Sequence, residues 1–183
     1  MPDKSYQPTI EAVARTIDSV NEWLGRILGW LVLAMALTMF GVVLLRYGFG
    51  VGSIAWQESV NWMHGLVFML GAAYTLKHDG HVRVDVFYQH WSARRRAWVD
   101  LCGALLLLLP MALLLLIESW HYVVLAWSIG EDSPEVGGLP ALYLFKTAIP
   151  LAALLLILQG VAQALRSFLI LRRTTAGATP ADP

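Results

Sequence analysis

The sequence predicts an all-α integral membrane protein, on its composition, its apolar segments and the placement of its basic residues. Of the 183 residues, 57% are hydrophobic and 14% are charged, and the mean hydropathy is +0.59. A soluble domain carries about 25% charged residues, so this chain has too few polar side chains to cover a water-facing surface. Each apolar segment must be helical, because hydrocarbon leaves the hydrogen bonds of an open backbone unsatisfied.

Four apolar segments reach the roughly 20 residues that a transmembrane helix needs. They span residues 24–45, 55–76, 98–127 and 139–165. From Ser92 to Trp127 the third segment measures about 54 Å as a helix, well beyond the ~30 Å hydrocarbon core. We therefore expect this helix to tilt strongly, to kink at Pro110 or to project out of the membrane.

Residues 1–23 predict an amphipathic helix that precedes the first span. Apolar residues recur there at spacings of three and four, from Ile10 to Leu24, with charged residues between them. Such a helix lies on the cytoplasmic membrane surface or against a partner. Acidic residues such as Asp3 and Glu11 argue against a cleavable signal peptide. At the other end, the residues after Arg173 are small, polar and include proline, and residues 171–183 are therefore expected to form a disordered cytoplasmic tail.

Basic residues predict that both termini are cytoplasmic. If the chain crosses four times, eleven of its 13 Lys and Arg residues fall on one side. Only Arg46 and Lys146 fall on the other side, where the predicted outer loop carries Glu131, Asp132 and Glu135. We expect these three acidic residues to face the outer side, away from the cytoplasm.

The stretch KHDGHVRVDVFYQH, residues 77–90, predicts an interfacial element between the second and third spans. Asp79 and Gly80 predict a turn, and Ser92 can cap the helix that follows. Aromatic rings settle at the headgroup boundary, and basic side chains there meet anionic headgroups. The residues expected at the lipid interface are Phe87, Tyr88, Trp91, Arg94, Arg95 and Arg96.

The same stretch raises the possibility of a metal site, with His78, Asp79, His81, Asp85 and His90 as ligands. The spacings match no standard zinc motif, so interfacial hydrogen bonding is the favoured interpretation and no metal is expected. A net charge of zero argues against nucleic acid as a partner. The single cysteine, Cys102, allows no internal disulfide.

Ionisable residues within spans are functional candidates by default. They are Arg46, Glu58, His64, Glu118 and His121, all in the outer half of the predicted helices. Pairing of Arg46 with Glu58 or Glu118 would explain them without a proton or ion relay. Alternatively, His64 and His121 could be axial ligands of a haem, which would make the chain a haem-binding membrane anchor or redox subunit.

The order of several motifs resembles the small, DctQ-type membrane subunit of tripartite ATP-independent periplasmic (TRAP) transporters. LLRYGFG ends the first helix, WQESVNWMHGLVFMLGAAYTLKHDGHVRVD covers the second helix and the following loop, and YLFKTAIPLAALLLIL begins the fourth. The resemblance covers about residues 24–170. Gln57-Glu58 departs from it, because the family often has two acidic residues there.

The resemblance implies a non-enzymatic scaffold subunit without a cofactor. Its expected partners are a large DctM-type subunit, which carries the transport sites, and a periplasmic binding protein that delivers an organic acid. A stand-alone small channel or exporter is a further alternative. The residues expected at the interface with the large subunit are Arg46, Tyr47, Trp56 and Glu58 on the outer side, and His81, Arg83 and Asp85 on the cytoplasmic side.

Overall fold

The computed structural model describes residues 7–81, 88 and 90–175, and every regular element in these ranges is helical. Two long helices form the first half of the chain. The second half contains a long interrupted helix, a short helix and a final long helix. The bounds are α1 Gln7–Gly48, α2 Ile54–Lys77, α3 Ala93–Gly103, a π-helical turn Ala104–Leu108, α4 Leu109–Ile129, α5 Leu142–Lys146 and α6 Ala148–Thr175.

Helix α6 is the centre of the bundle, since α1, α2, α3 and α4 all pack on it. Small residues line its length, and their buried side chains let the neighbouring helices approach closely. The buried alanines of α6 are Ala148, Ala152, Ala153, Ala162 and Ala164. Ala148, Ala152 and Leu155 of α6 form an apolar core with Leu28 of α1 and with Leu70 and Ala73 of α2.

Helix α1 is continuous through the boundary at residues 23 and 24, so the predicted amphipathic segment does not form a separate helix. Its buried residues Ala14, Asn21 and Leu28 repeat every seven positions, which places them on one face. By contrast, Val13 and Val20 are about half exposed. The segment therefore extends the first helix and turns a partly polar stripe toward α6.

Three helical stretches are long and apolar enough to cross a membrane among the residues described: Pro8–Gly48, Ala93–Ile129 and Leu142–Arg172. Helix α2 matches the bounds of the predicted span 55–76 but is not one of the three. Gln57, Glu58, Asn61 and His64 make its first turns polar. The fourth crossing therefore stays a prediction.

The third predicted helix begins at Ala93 and continues to Ile129. Ser92 caps it as predicted, because its side chain accepts a hydrogen bond from the Arg95 amide. The π-helical turn lies directly before Pro110 and is closed by a bond from the Leu109 amide to the Ala104 carbonyl. Proline has no N–H to continue the α-helical ladder, and a wider turn is one way to accommodate it.

The predicted turn after α2 and the predicted C-terminal tail have different outcomes. The turn at Asp79 and Gly80 is confirmed: Asp79 has a φ of 52°, and the Gly80 amide bonds to the Thr75 carbonyl at 2.9 Å. Helix α6 continues to Thr175, so a disordered tail from residue 171 is wrong for its first five residues. Residues 176–183 and the loop residues Arg83, Asp85 and Phe87 lie outside the described residues.

Candidate functional site

The first polar cluster lies at what we call the basic end, where the first half of α1 meets the last turns of α2 and the region of α6 from Gln159 to Arg166. Glu22 of α1 bonds to Lys77 Nζ at 2.6 Å and to His78 Nε2 at 3.0 Å, both at the end of α2. Glu22 therefore joins α1 to α2.

A second group at the basic end joins α1 to α6. Arg166 donates to Asp18 Oδ2 at 2.6 Å, and Gln159 Nε2 donates to Asp18 Oδ1 at 3.3 Å. The Oε1 atom of Gln159 accepts from Asn21 Nδ2 at 2.7 Å. Asn21 and Gln159 are each only 1% exposed. Polar side chains that were expected to face outward therefore lie between helices.

The opposite end, which we call the loop end, comprises the end of α1, the start of α2 and the loop 130–141. Glu58 of α2 accepts a hydrogen bond from the Leu139 amide at 2.6 Å and another from Ser133. A Cβ at position 138 would lie 2.5 Å from Glu58 Oε2, so only glycine leaves room for this contact. The carboxylate of Glu58 thus fixes the loop rather than a helix.

The predicted outer acidic residues also have contacts within the loop end. Glu131 pairs with Lys146 at 2.5 Å, and Asp132 accepts from the Ala141 amide at 2.7 Å. Glu135 is exposed, and its carbonyl accepts from the Gly138 amide at 2.9 Å. Glu131 and Asp132 therefore have partners within the protein, and both Asp132 and Glu135 are exposed.

The expected pairing of Arg46 with Glu58 or Glu118 is wrong. The Glu58 carboxylate is occupied by the loop, and Glu118 is exposed on α4. Within the described ranges, no acidic side chain lies at ion-pair distance from Arg46. Tyr47 and Trp56 are 81% and 52% exposed. These three residues keep surfaces that are free to contact another molecule.

His64 and His121 do not come together as haem ligands. His64 lies on α2 and His121 lies on α4. Both helices pack on α6, but in the described part of the chain they do not pack extensively on each other. Both side chains are exposed. In the same residues, no group of three or more His, Cys, Asp or Glu side chains could hold a metal ion. Of the suggested metal ligands, His78 binds Glu22 and contacts the Tyr74 ring.

The described residues of the loop between α2 and α3 and of the first turn of α3 include exposed residues and residues that bind within the protein. His81, Arg94 and Arg95 are exposed. Tyr88 donates to Asp100 at 2.7 Å, and the Arg96 guanidinium lies 5.6 Å from the Tyr88 ring centroid. Arg96 also donates to the Trp91 carbonyl at 3.0 Å. These contacts of Tyr88 and Arg96 therefore stabilise the start of α3. Their predicted contact with lipid stays a prediction.

Sequence reasoning missed the pair Asn21–Gln159, because neither residue belongs to any of the motifs that the sequence offered. A usable signal was present in α6, where Gln159 interrupts the apolar run LAALLLIL. A buried amide in such a run needs a partner, since an unpaired polar group in an apolar environment is costly. The partner could not be identified, because it lies 138 positions away.

Comparisons with known proteins agree with the arrangement of motifs. The family model "Tripartite ATP-independent periplasmic transporters, DctQ component" matches residues 35–169. A "C4-dicarboxylate TRAP transporter small permease protein DctQ" of Vibrio cholerae serotype O1 is 31% identical over 134 residues, which cover 70% of this chain and 56% of the relative. The chain therefore spans little more than half the length of that relative. No solved structure matches the chain. Because the family model covers most of the sequence, the chain belongs to the DctQ family of TRAP transporter components.

Proposed function

We propose that this chain is a non-catalytic scaffold subunit of an ion-coupled secondary transporter that imports organic acids. The proposed partners are a large DctM-type membrane subunit and a periplasmic substrate-binding protein. The relative in Vibrio cholerae is named for C4-dicarboxylates, and four-carbon dicarboxylates are accordingly the first substrates to test. The proposed location is the bacterial inner membrane, with the basic end and both termini in the cytoplasm.

One observation carries the scaffold role: an apolar core separates the two polar ends. Between the Asn21–Gln159 pair and the Glu58 contact, the core consists of leucines and alanines such as Leu70, Ala73 and Ala152. A pathway for an organic anion needs polar or charged groups at depth. Helices that pack around an apolar centre and are joined by polar contacts at the basic end suit a rigid support for a moving partner.

Exposed apolar side chains at the loop end support contact with other proteins. Trp56 is half exposed at the start of α2, and Val136 at the loop tip is 89% exposed. We propose Trp56 as part of the interface with the large subunit and Glu135 as part of the surface that receives the binding protein. His81, which is exposed, and Arg83 and Asp85 remain the proposed contacts on the cytoplasmic side.

Uptake by proteoliposomes tests this function. Vesicles with this chain, the large subunit and the binding protein should accumulate a labelled four-carbon dicarboxylate, and vesicles with this chain alone should not. The large subunit without this chain, at equal abundance, should transport far less. Flux through the chain alone, or full transport without it, would contradict the scaffold role.

A matched pair of variants tests the interface. Trp56→Ala should lower the yield of large subunit that co-purifies with this chain. Phe68→Ala removes a ring of α2 that is 76% exposed but lies farther along the helix, and the yield should not change. Equal losses in both variants would exclude a specific contact at Trp56.

A further inference from the structure

We propose that a pocket between α1 and α2 at the loop end binds one membrane phospholipid through its phosphate group. The cavity has a volume of about 320 Å³. Arg46, Gln57 and Asn61 provide its polar part, and Met39, Val43 and Val60 provide its apolar wall. The proposal concerns the chain itself and does not depend on the transporter role.

The polar part of the pocket is suited to an anion. An Arg guanidinium is permanently charged, offers five N–H donors and matches phosphate geometry in a bidentate way. The amides of Gln57 and Asn61 can donate further hydrogen bonds. None of the described residues that line the cavity carries a carboxylate. Because Glu58 is held by the Leu139 amide, the charge of Arg46 has no counterion in the described residues.

Along the helices, the polar groups of the pocket are followed by its apolar groups, which is the order in which a phospholipid presents its phosphate and its acyl chain. Arg46 and Gln57 lie near the helix ends, where the headgroups of the bilayer begin. Met39 lies seven residues before Arg46, or about 10 Å deeper along α1. Met39 and Val43 are 49% and 42% exposed, so the packing of this chain leaves much of their surface open. A phosphate beside Arg46 would place an acyl chain along this apolar wall.

A lipid fits these features better than the two other anions that could reach Arg46. Inorganic phosphate would use the donors and leave the apolar wall uncovered. A carboxylate of a partner helix would need that partner, whereas phospholipid phosphates surround every membrane protein at this depth. A basic residue near lipid phosphate contributes roughly 1 kcal/mol, which corresponds to about a five-fold change in retention.

Native mass spectrometry of the full chain, released from detergent, tests the proposal. Phosphatidylglycerol should be retained as one molecule per chain, and diacylglycerol with the same acyl chains should not. Arg46→Gln should reduce phosphatidylglycerol retention about five-fold. Val43→Trp, which fills the cavity and leaves the charge unchanged, should reduce it as well. Arg26→Gln removes a charge near the middle of the same helix, twenty residues before Arg46, and is the matched control.

The outcomes separate the possible occupants. Equal retention of diacylglycerol, or an equal loss in Arg26→Gln, would overturn phosphate recognition at this pocket. Displacement of the lipid by millimolar inorganic phosphate would show a simple anion site instead. Unchanged lipid retention in Arg46→Gln, with loss of the large subunit from the purified complex, would assign Arg46 to a partner carboxylate. If Val43→Trp does not fold, Asn61→Leu replaces it, and full retention in that variant would also contradict the proposal.

Discussion

The basic end and the loop end use the same side-chain chemistry for different tasks. At the basic end, Asp18 and Glu22 accept hydrogen bonds from side chains of other helices, so the carboxylates join α1 to α6 and α2. At the loop end, Glu58 and Asp132 accept from backbone amides of residues 139 and 141. Carboxylates thus hold helices together at the basic end and hold the loop in position at the loop end.

This difference predicts what fails when a contact is removed. A substitution at the basic end should loosen the packing between helices, and the whole chain should lose stability. A substitution of Glu58 should free the loop while the helices stay packed, because the apolar core lies elsewhere. Substitutions at Gly25, Gln159, Asp18 and Glu58 test this difference, from the largest expected effect to the smallest.

The largest effect is expected where Gly25 of α1 packs against the Tyr74 ring of α2. A Cβ at Gly25 would lie 2.2 Å from Cδ2 of Tyr74, whereas a Cβ at Gly29 would meet nothing within 4 Å. Gly25→Ala should lower the free energy of unfolding by about 2 kcal/mol, because the helices must separate. Gly29→Ala should leave it unchanged or raise it slightly. Thermal unfolding in detergent measures both, and equal values would refute the close contact.

The buried amide pair should give the next largest effect. Gln159→Leu leaves the Asn21 amide without its acceptor and should lower the free energy of unfolding by about 1.5 kcal/mol. The double variant Asn21→Leu/Gln159→Leu should recover most of that loss, since no unpaired amide remains. A double variant that is less stable than the single one would show that the amides act through other contacts.

The pair Asp18–Arg166 should contribute less, because its Arg166 side chain is 41% exposed and solvent screens the interaction. Asp18→Asn should lower the free energy of unfolding by about 0.5 kcal/mol at low salt. The difference from the unsubstituted chain should nearly vanish in 1 M salt. A loss that does not depend on salt would indicate a packing role for Asp18.

The smallest global effect is expected at Glu58. Glu58→Gln removes the negative charge that the Leu139 amide and Ser133 contact, so proteolytic cleavage within residues 131–141 should become several-fold faster. The unfolding temperature should change little. Glu118→Gln, which removes an exposed charge of α4, should alter neither quantity. A large fall in the unfolding temperature of Glu58→Gln would show that Glu58 also stabilises the packed helices, so that the two ends would not differ in this respect.

Apolar length and local signals predicted much of the helical structure. The span 55–76 lies within one residue of α2 at each end, and the Ser92 cap and the Asp79–Gly80 turn were both predicted. These features depend on residues close in sequence. The continuity of α1 was missed, because a change from amphipathic to apolar composition need not interrupt a helix.

Hydropathy could not predict which long helix is central. The most apolar windows of Ala93–Ile129 and Leu142–Arg172 have hydropathies of 2.5 and 2.0, yet 11% and 44% of their residues are buried. Lipid and protein interiors are similarly apolar, so both environments tolerate leucine. Both stretches contain five alanines, so the central position of α6 follows from how the helices pack and not from composition.

The sequence by itself determined that this chain is helical, rich in apolar segments and basic mainly on one predicted side, because those properties follow from composition and local spacing. It also identified the family through the order of its motifs. Only the tertiary structure decided which polar side chains meet. Asn21 and Gln159, or Glu58 and Leu139, are far apart in the chain, and their contact depends on how whole helices pack.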